Sequence, residues 1–101
     1  MNNMKDLSAK IELSRRTAEI TNSSYKLLAT TIACLAQVED HEKVIEFLIE
    51  ILQVIKSGIT INKELDNEEV PLEETEVKVS ELESKYQCLR QTAKETLEKM
   101  I

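Results

Sequence analysis

The sequence contains few of the residues that tight turns, sheets and cofactor sites require. Its 101 residues include one glycine, one proline, one histidine, two cysteines and no tryptophan, and only 3% are aromatic. Tight β-turns and phosphate-binding loops both need residues that adopt positive φ, above all glycine. Average usage would place about seven glycines in a chain of this length. The scarcity of glycine argues against all-β and α/β folds and predicts an all-α protein.

Long apolar runs and clustered basic charge are also missing. The longest apolar runs, such as residues 32–36, fall far short of the ~20 residues that cross a bilayer. The amino terminus has no apolar signal core. A net charge of -6, from 19 acidic and 13 basic residues, argues against binding to a phosphate backbone. We expect a soluble intracellular protein, in the cytoplasm, that neither inserts into membranes nor binds nucleic acid.

The residues that could carry chemistry are few and widely spaced. Cys34 and Cys88 lack the spacing of a metal or redox pair, and we interpret Cys34 as a core residue and Cys88 as an exposed thiol. His41 falls among acidic residues, with no second His or Cys at metal-ligand spacing. No Walker, Rossmann or Ser-His-Asp pattern can be built from one glycine and one histidine. The sequence predicts a protein that is not an enzyme and has no cofactor, metal or small-molecule substrate.

Apolar periodicity predicts one helical domain over residues 1–101, and its first helix spans about residues 3–38. An alternation of three and four residues runs from Met4 through Tyr25 to Leu35, which is the period of a coiled coil. Residues 21–24 favour caps and turns, so a break into two shorter helices is the alternative. A second apolar row, including Ile20 and Leu27, continues across that stretch and favours a single helix.

Helix 2 is predicted over about residues 40–57, with Asp40 as its N-cap. Gly58 is interpreted as the residue that ends this helix in the left-handed conformation. An acidic connector, about residues 59–70, then leads to helix 3 over about residues 71–101, which Pro71 opens. From Leu72 to Met100, helix 3 holds a three-four alternation like that of helix 1.

Helix 2 has more apolar surface than one copy of the chain is expected to cover. Its apolar arc of roughly 220° exceeds the stripe of a little over 100° that a surface helix needs. We place Leu48, Leu52 and Ile55 at the centre of that arc. About 18 residues make helix 2 about 27 Å long, against roughly 45 to 50 Å for its two neighbours. The expected fold is a three-helix antiparallel bundle with two long helices and coiled-coil character, completed by oligomerisation. The candidate contact residues are Phe47, Val54, Leu82, Tyr86, Leu89 and Met100.

The acidic charge is concentrated between Glu64 and Glu76. Seven acids and no base lie in this segment, which carries -7 and leaves +1 for the rest of the chain. One interpretation is that the acids solvate a loop and favour the start of helix 3 through its dipole. The other is a docking surface for a basic partner, formed by Glu68, Glu69, Glu73, Glu74 and Glu76.

These features together predict a protein whose partners are other proteins. We expect a non-enzymatic helical interaction module, an adaptor or assembly subunit, that forms a homodimer or a hetero-oligomer with another helical chain. The alternative is a small acidic cytosolic chaperone or inhibitor that covers an apolar or basic segment of a partner protein. Small size, acidity and excess apolar helix surface fit both.

Overall fold

The described part of the chain consists of three helices joined by short loops. The computed structural model describes the backbone of residues 3–67 and 69–100 and the side chains of residues 5–67 and 69–96. The helices are α1 at Asn3–Leu35, α2 at His41–Leu65 and α3 at Leu72–Met100. The described residues include no strand, so the all-α prediction is confirmed. Helix α1 is continuous through residues 21–24, and the alternative of two shorter helices is wrong.

The starts of α2 and α3 follow from local hydrogen bonding. The Asp40 carboxylate accepts the backbone N–H of Lys43 at 3.4 Å, as an N-cap does. The Pro71 carbonyl accepts the N–H groups of Glu74 and Thr75 at 3.1 and 3.2 Å. The prediction of an Asp40 cap is confirmed, and α3 begins one residue later than the sequence indicated.

The predicted end of helix 2 at Gly58 is wrong. Helix α2 continues to Leu65, and Gly58 does not have a positive φ. Gly58 is buried against α1, where a Cβ atom would overlap Oγ1 of Thr21. The glycine therefore permits a close approach of two helices and does not end one. With 25 residues, α2 is about 37 Å long and covers more of its neighbours than predicted.

Contacts between the helices define their directions. Ser14 Oγ donates to Asn62 Oδ1 at 3.5 Å and Thr21 lies beside Gly58, so α1 and α2 run in opposite directions. Lys78 Nζ lies 2.9 Å from a Glu64 carboxylate oxygen, near the end of α2 and the start of α3, which makes that pair antiparallel as well. All three pairs of helices are in contact. The bundle measures 58 × 18 × 17 Å.

Helix α3 packs with the row of residues that its sequence period indicated. Thr75, Val79, Leu82, Leu89 and Ala93 from that row are buried. Val79, Leu82 and Leu89 join one apolar cluster with residues of α1 and α2, and Ala93 joins a second one with Cys34. The sequence period of α3 therefore identified the face that holds it to the bundle.

Helix α1 packs with the row that the sequence interpretation ranked second. Leu7, Ile11, Tyr25 and Ile32 from the three-four alternation are all at least half exposed. The core row of α1 is instead Leu13, Thr17, Ile20, Ser24, Thr31 and Cys34. The three core hydroxyls each donate at 2.7 Å to the carbonyl four residues earlier. Because each hydroxyl is paired locally, its burial leaves no unsatisfied polar group.

Candidate interaction surfaces

The predicted contact residues form the interior of a single chain. Val54 has no exposed surface, Leu82 and Leu89 are buried, and Phe47 and Tyr86 are half-buried against the same core. The Met100 side chain lies outside the described residues. Val54, Leu82 and Leu89 therefore hold the helices of a single chain together, whereas Phe47 and Tyr86 are only partly covered by the same core.

The structure differs from the sequence interpretation in how α2 is rotated about its own axis. The side chains that face the other helices are Val44, Ile51, Val54, Ile55, Ile61 and Leu65, with Gly58 among them. Of the three residues that the sequence interpretation places at the centre of the core face, Ile55 is buried, Leu52 is 50% exposed and Leu48 is only half-buried. An apolar arc of roughly 220° contains two possible core faces, and the close contact at Gly58 selects one of them.

The outward side of α2 consequently carries a row of exposed apolar residues. Ile45, Ile49, Leu52 and Ile59 are between 42% and 50% exposed. Their spacing of four, three and seven residues keeps them on one side of the helix, because a helix repeats every 3.6 residues. This row lies on the side of α2 that is turned away from Val54 and the core.

Helix α1 extends this apolar surface sideways. Because Ser14 lies beside Asn62 and Thr21 beside Gly58, antiparallel packing brings Tyr25 to the level of Leu52 and Ile32 to the level of Ile45. Both α1 side chains are about half exposed and lie on the flank of α1 next to α2. We call the combined surface the outer strip; its members are Tyr25, Ile32, Ile45, Ile49, Leu52 and Ile59.

Charges of opposite sign lie at the two ends of the outer strip. Glu42 is in the first turn of α2 and Lys63 is in its last turn, with Lys56 between Leu52 and Ile59 on the outward side. All three side chains are exposed. Within the part of the chain that the structure describes, none of them forms a salt bridge. The outward side of α2 is thus acidic at its start and basic towards its end.

A partly buried ion pair joins α1 to α3. The Arg16 guanidinium donates to both carboxylate oxygens of Glu83, with an Nε–Oε2 distance of 3.1 Å. This hydrogen bonding lowers the pKa of Glu83 below its ordinary value and raises the pKa of Arg16. The pair lies away from the outer strip, and we interpret it as part of the fold.

The acidic residues of the predicted docking surface and its surroundings differ in environment: some pair with Lys78 and others are exposed. Glu64 pairs with Lys78 at 2.9 Å, and Glu74 approaches the same ammonium at 3.7 Å. The hydrogen bond to Glu64 is the main cause of a raised pKa at Lys78. The side chains of Glu69, Glu73 and Glu76 are exposed, and Glu68 lies outside the described residues. The sequence interpretation missed the pair because it placed Glu64 in a connector and not in the last turns of α2.

The side chains of the two cysteines and the histidine lie apart from one another. Cys34 is buried, Cys88 is exposed, and both are free thiols, as predicted. His41 is exposed at the start of α2. Among the described side chains, no group of three or more His, Cys, Asp or Glu residues is arranged to hold a metal ion. No helix in the described part of the chain combines the length and apolar character needed to cross a membrane.

No family model, curated protein or solved structure matches the chain.

Proposed function

We propose that the chain is a non-enzymatic helical protein–protein interaction module, an adaptor or assembly subunit of a homo- or hetero-oligomeric complex. The outer strip is the observation that carries this proposal. With six large side chains about half exposed, it presents on the order of 500 Å² of apolar surface, a size at which patches on single chains are often functional. Covering such a surface is favourable by about 25 cal/mol per Å².

The shape of the outer strip favours a helix as the partner element. The exposed side chains of α2 form a straight ridge along the bundle, and Tyr25 and Ile32 of α1 border it. A second helix packs against such a surface by placing its own apolar ridge beside the first. We therefore propose that the outer strip packs against this helix with coiled-coil character and that oligomerisation completes the bundle.

The distribution of reactive groups supports a role without catalysis. Cys34 is in the core, whereas His41 and Cys88 are exposed on different helices. Catalysis by an activated nucleophile requires the nucleophile and its base within hydrogen-bonding reach. Two free thiols also favour a reducing compartment, and we propose the cytoplasm as the site of action.

A position-specific photocrosslink tests the proposed function. A benzophenone amino acid is placed at Ile49 in the outer strip or, as the control, at Thr92, an exposed position of α3. After irradiation in the native cell, we expect a covalent product with a protein chain from position 49 and none from position 92. Equal labelling at both positions, or no product at position 49, would contradict the proposal.

A second candidate function is a small acidic chaperone or inhibitor that covers a basic or apolar segment of a partner. One surface favours it: Val77 on α3 is 57% exposed and lies in a shallow depression bordered by Glu73, Glu76 and Glu81. An apolar contact ringed by carboxylates suits a basic amphipathic peptide. Titration with such a peptide should give binding that weakens with salt and with Glu73→Gln and Glu76→Gln; salt-insensitive binding would count against this function.

A further inference from the structure

We propose that the outer strip binds a second copy of the same chain, with the two α2 helices packed antiparallel about a twofold axis near Leu52. The inference rests on the proposed function, because it uses the same surface, and it adds the identity of the partner. The register of the apolar residues, the placement of the charges and the available area favour this arrangement.

The positions of the exposed isoleucines fit a twofold axis at Leu52. Ile45 and Ile59 each lie seven residues from Leu52, which is about 10.5 Å along the helix. When two antiparallel copies of α2 meet at Leu52, Ile45 of each copy therefore faces Ile59 of the other. Ile49 precedes Leu52 by three residues and Lys56 follows it by four, so Lys56 of the other copy lies about 1.5 Å from the level of Ile49. The aliphatic stem of Lys56 can cover Ile49 there while the ammonium stays in water. All four exposed apolar residues of α2 thus meet apolar atoms.

The charges on the outward side favour the same orientation. Glu42 precedes Leu52 by ten residues and Lys63 follows it by eleven, so Glu42 of one copy lies level with Lys63 of the other. The twofold symmetry forms this opposite-charge pair twice. A parallel arrangement would instead place Glu42, Lys56 and Lys63 each beside its own equivalent, and like charges repel.

The available area lies at the small end of the range for standard interfaces. Helix α2 is about 37 Å long, and the bundle is 18 Å wide, so the face that contains the outer strip measures about 670 Å². Stable complexes bury about 800 Å² on each partner. Tyr25 lies level with Leu52, next to the axis, where a half-exposed aromatic ring adds apolar contact.

Sedimentation equilibrium of the purified chain tests the inference. The wild type is expected at twice its monomer mass of 11.6 kDa at tens of micromolar. Leu52→Glu should raise the dissociation constant by about 100-fold or more, because two buried carboxylates would meet at the axis. Val77→Glu is the matched control: Val77 is similarly exposed, at 57%, but lies on α3, and its dimer should keep the wild-type affinity. Circular dichroism of each variant verifies that the helices remain folded.

A charge exchange tests the orientation in the same assay. Lys63→Glu should weaken the dimer by about 3- to 10-fold, and adding Glu42→Lys should restore it, because the two pairs are then re-formed with reversed signs. Failure of the second substitution to restore affinity would overturn the antiparallel register.

Two further outcomes separate this inference from the proposed function. A wild-type chain that remains monomeric, or a dimer unaffected by Leu52→Glu, would overturn the inference. If position 49 still crosslinks to a different protein in the cell, the interaction function stands without self-association. If position 49 gives no crosslink as well, both fail.

Discussion

Both faces of α2 carry large apolar residues, but the two faces differ in what they contact. Ile51 has no exposed surface and packs inside the bundle, whereas Leu52, the next residue, is 50% exposed. The same contrast separates Gly58 from Ile59 about two turns later. The inward face accounts for the folding of one chain. The outward face is only about half covered by the bundle, and we propose that it contacts another chain.

The largest expected effect is the difference in stability loss between a substitution at Ile51 and one at Leu52. Ile51→Ala should lower the free energy of unfolding by about 2 to 5 kcal/mol, because it leaves a cavity in the core. Leu52→Ala should lower it by less than about 1 kcal/mol at concentrations where the chain is monomeric, because the side chain is already half in water. Urea denaturation followed by circular dichroism gives both values. Equal losses would remove the distinction between the two faces.

The next expected effect concerns the close contact of α1 and α2. Gly58→Ala should destabilise the chain by about 1 to 3 kcal/mol, because the new Cβ atom meets Thr21 Oγ1. That hydroxyl is held by a hydrogen bond of 2.9 Å to the Thr17 carbonyl. The neighbouring outward substitution Ile59→Ala is the control and should have little effect on the monomer.

Removing the Thr21 hydroxyl should reverse the sign of the stability change that Gly58→Ala causes. In a Thr21→Ala background the nearest side-chain atom at residue 21 is a Cβ at an ordinary contact distance of 3.6 Å. Gly58→Ala should then stabilise the chain by up to about 1 kcal/mol through helix propensity. Destabilisation of similar size in both backgrounds would show that the hydroxyl contact is not the cause.

The helices differ in how far their packing could be predicted from the sequence. Helix α3 has one apolar row, so its period identifies the face on which Val79 and Leu82 lie. Helix α1 has two rows, and the core row contains Thr17 and Ser24, which hydropathy alone ranks below Tyr25 and Ile32. Their hydroxyls bond within the helix, and a sequence period does not reveal that compensation.

The end of α2 and the outer strip could not be predicted for a related reason. A glycine after a helical segment is a common stop signal, but at Gly58 its small size serves the contact with Thr21. That tertiary contact also sets the rotation of α2, and with it the burial of Val54 and the exposure of Leu52. Local sequence patterns contain no information on where another helix approaches.

A smaller effect is expected at the ion pair between α1 and α3. Glu83→Gln should cost about 1 kcal/mol at pH 7, because it removes a partly buried charge-assisted hydrogen bond to Arg16. The pKa of Glu83 is lowered in the folded chain, so this stabilisation is present above the unfolded carboxylate pKa and is lost as the pH falls through the folded value.

Unfolding curves at two pH values check this pair. Wild type and Glu83→Gln should differ at pH 7 and approach each other well below about pH 4. Glu12→Gln is the control: Glu12 pairs with Arg15 on the exposed surface of α1 alone, and its removal should have a smaller effect. A difference between wild type and Glu83→Gln that persists at low pH would exclude the carboxylate as its source.

The smallest effect is expected in the acidic loop region. Glu69→Gln combined with Glu73→Gln should leave the melting temperature nearly unchanged, because both side chains are exposed. Differential scanning calorimetry of the double variant measures this. A large drop would mean that these acids support the fold as Glu64 does through Lys78.

Disulfide crosslinking at Leu52 tests most directly whether the outward face of α2 forms an antiparallel pair. In a Cys88→Ser background, which removes the exposed native thiol, Leu52→Cys should form a disulfide-linked dimer under mild oxidation. Ile45→Cys should not, because the two copies of residue 45 would lie about 21 Å apart along the axis, whereas a disulfide requires Cα atoms within about 7 Å. Equally efficient crosslinking at both positions, or none at Leu52→Cys, would contradict the antiparallel pair.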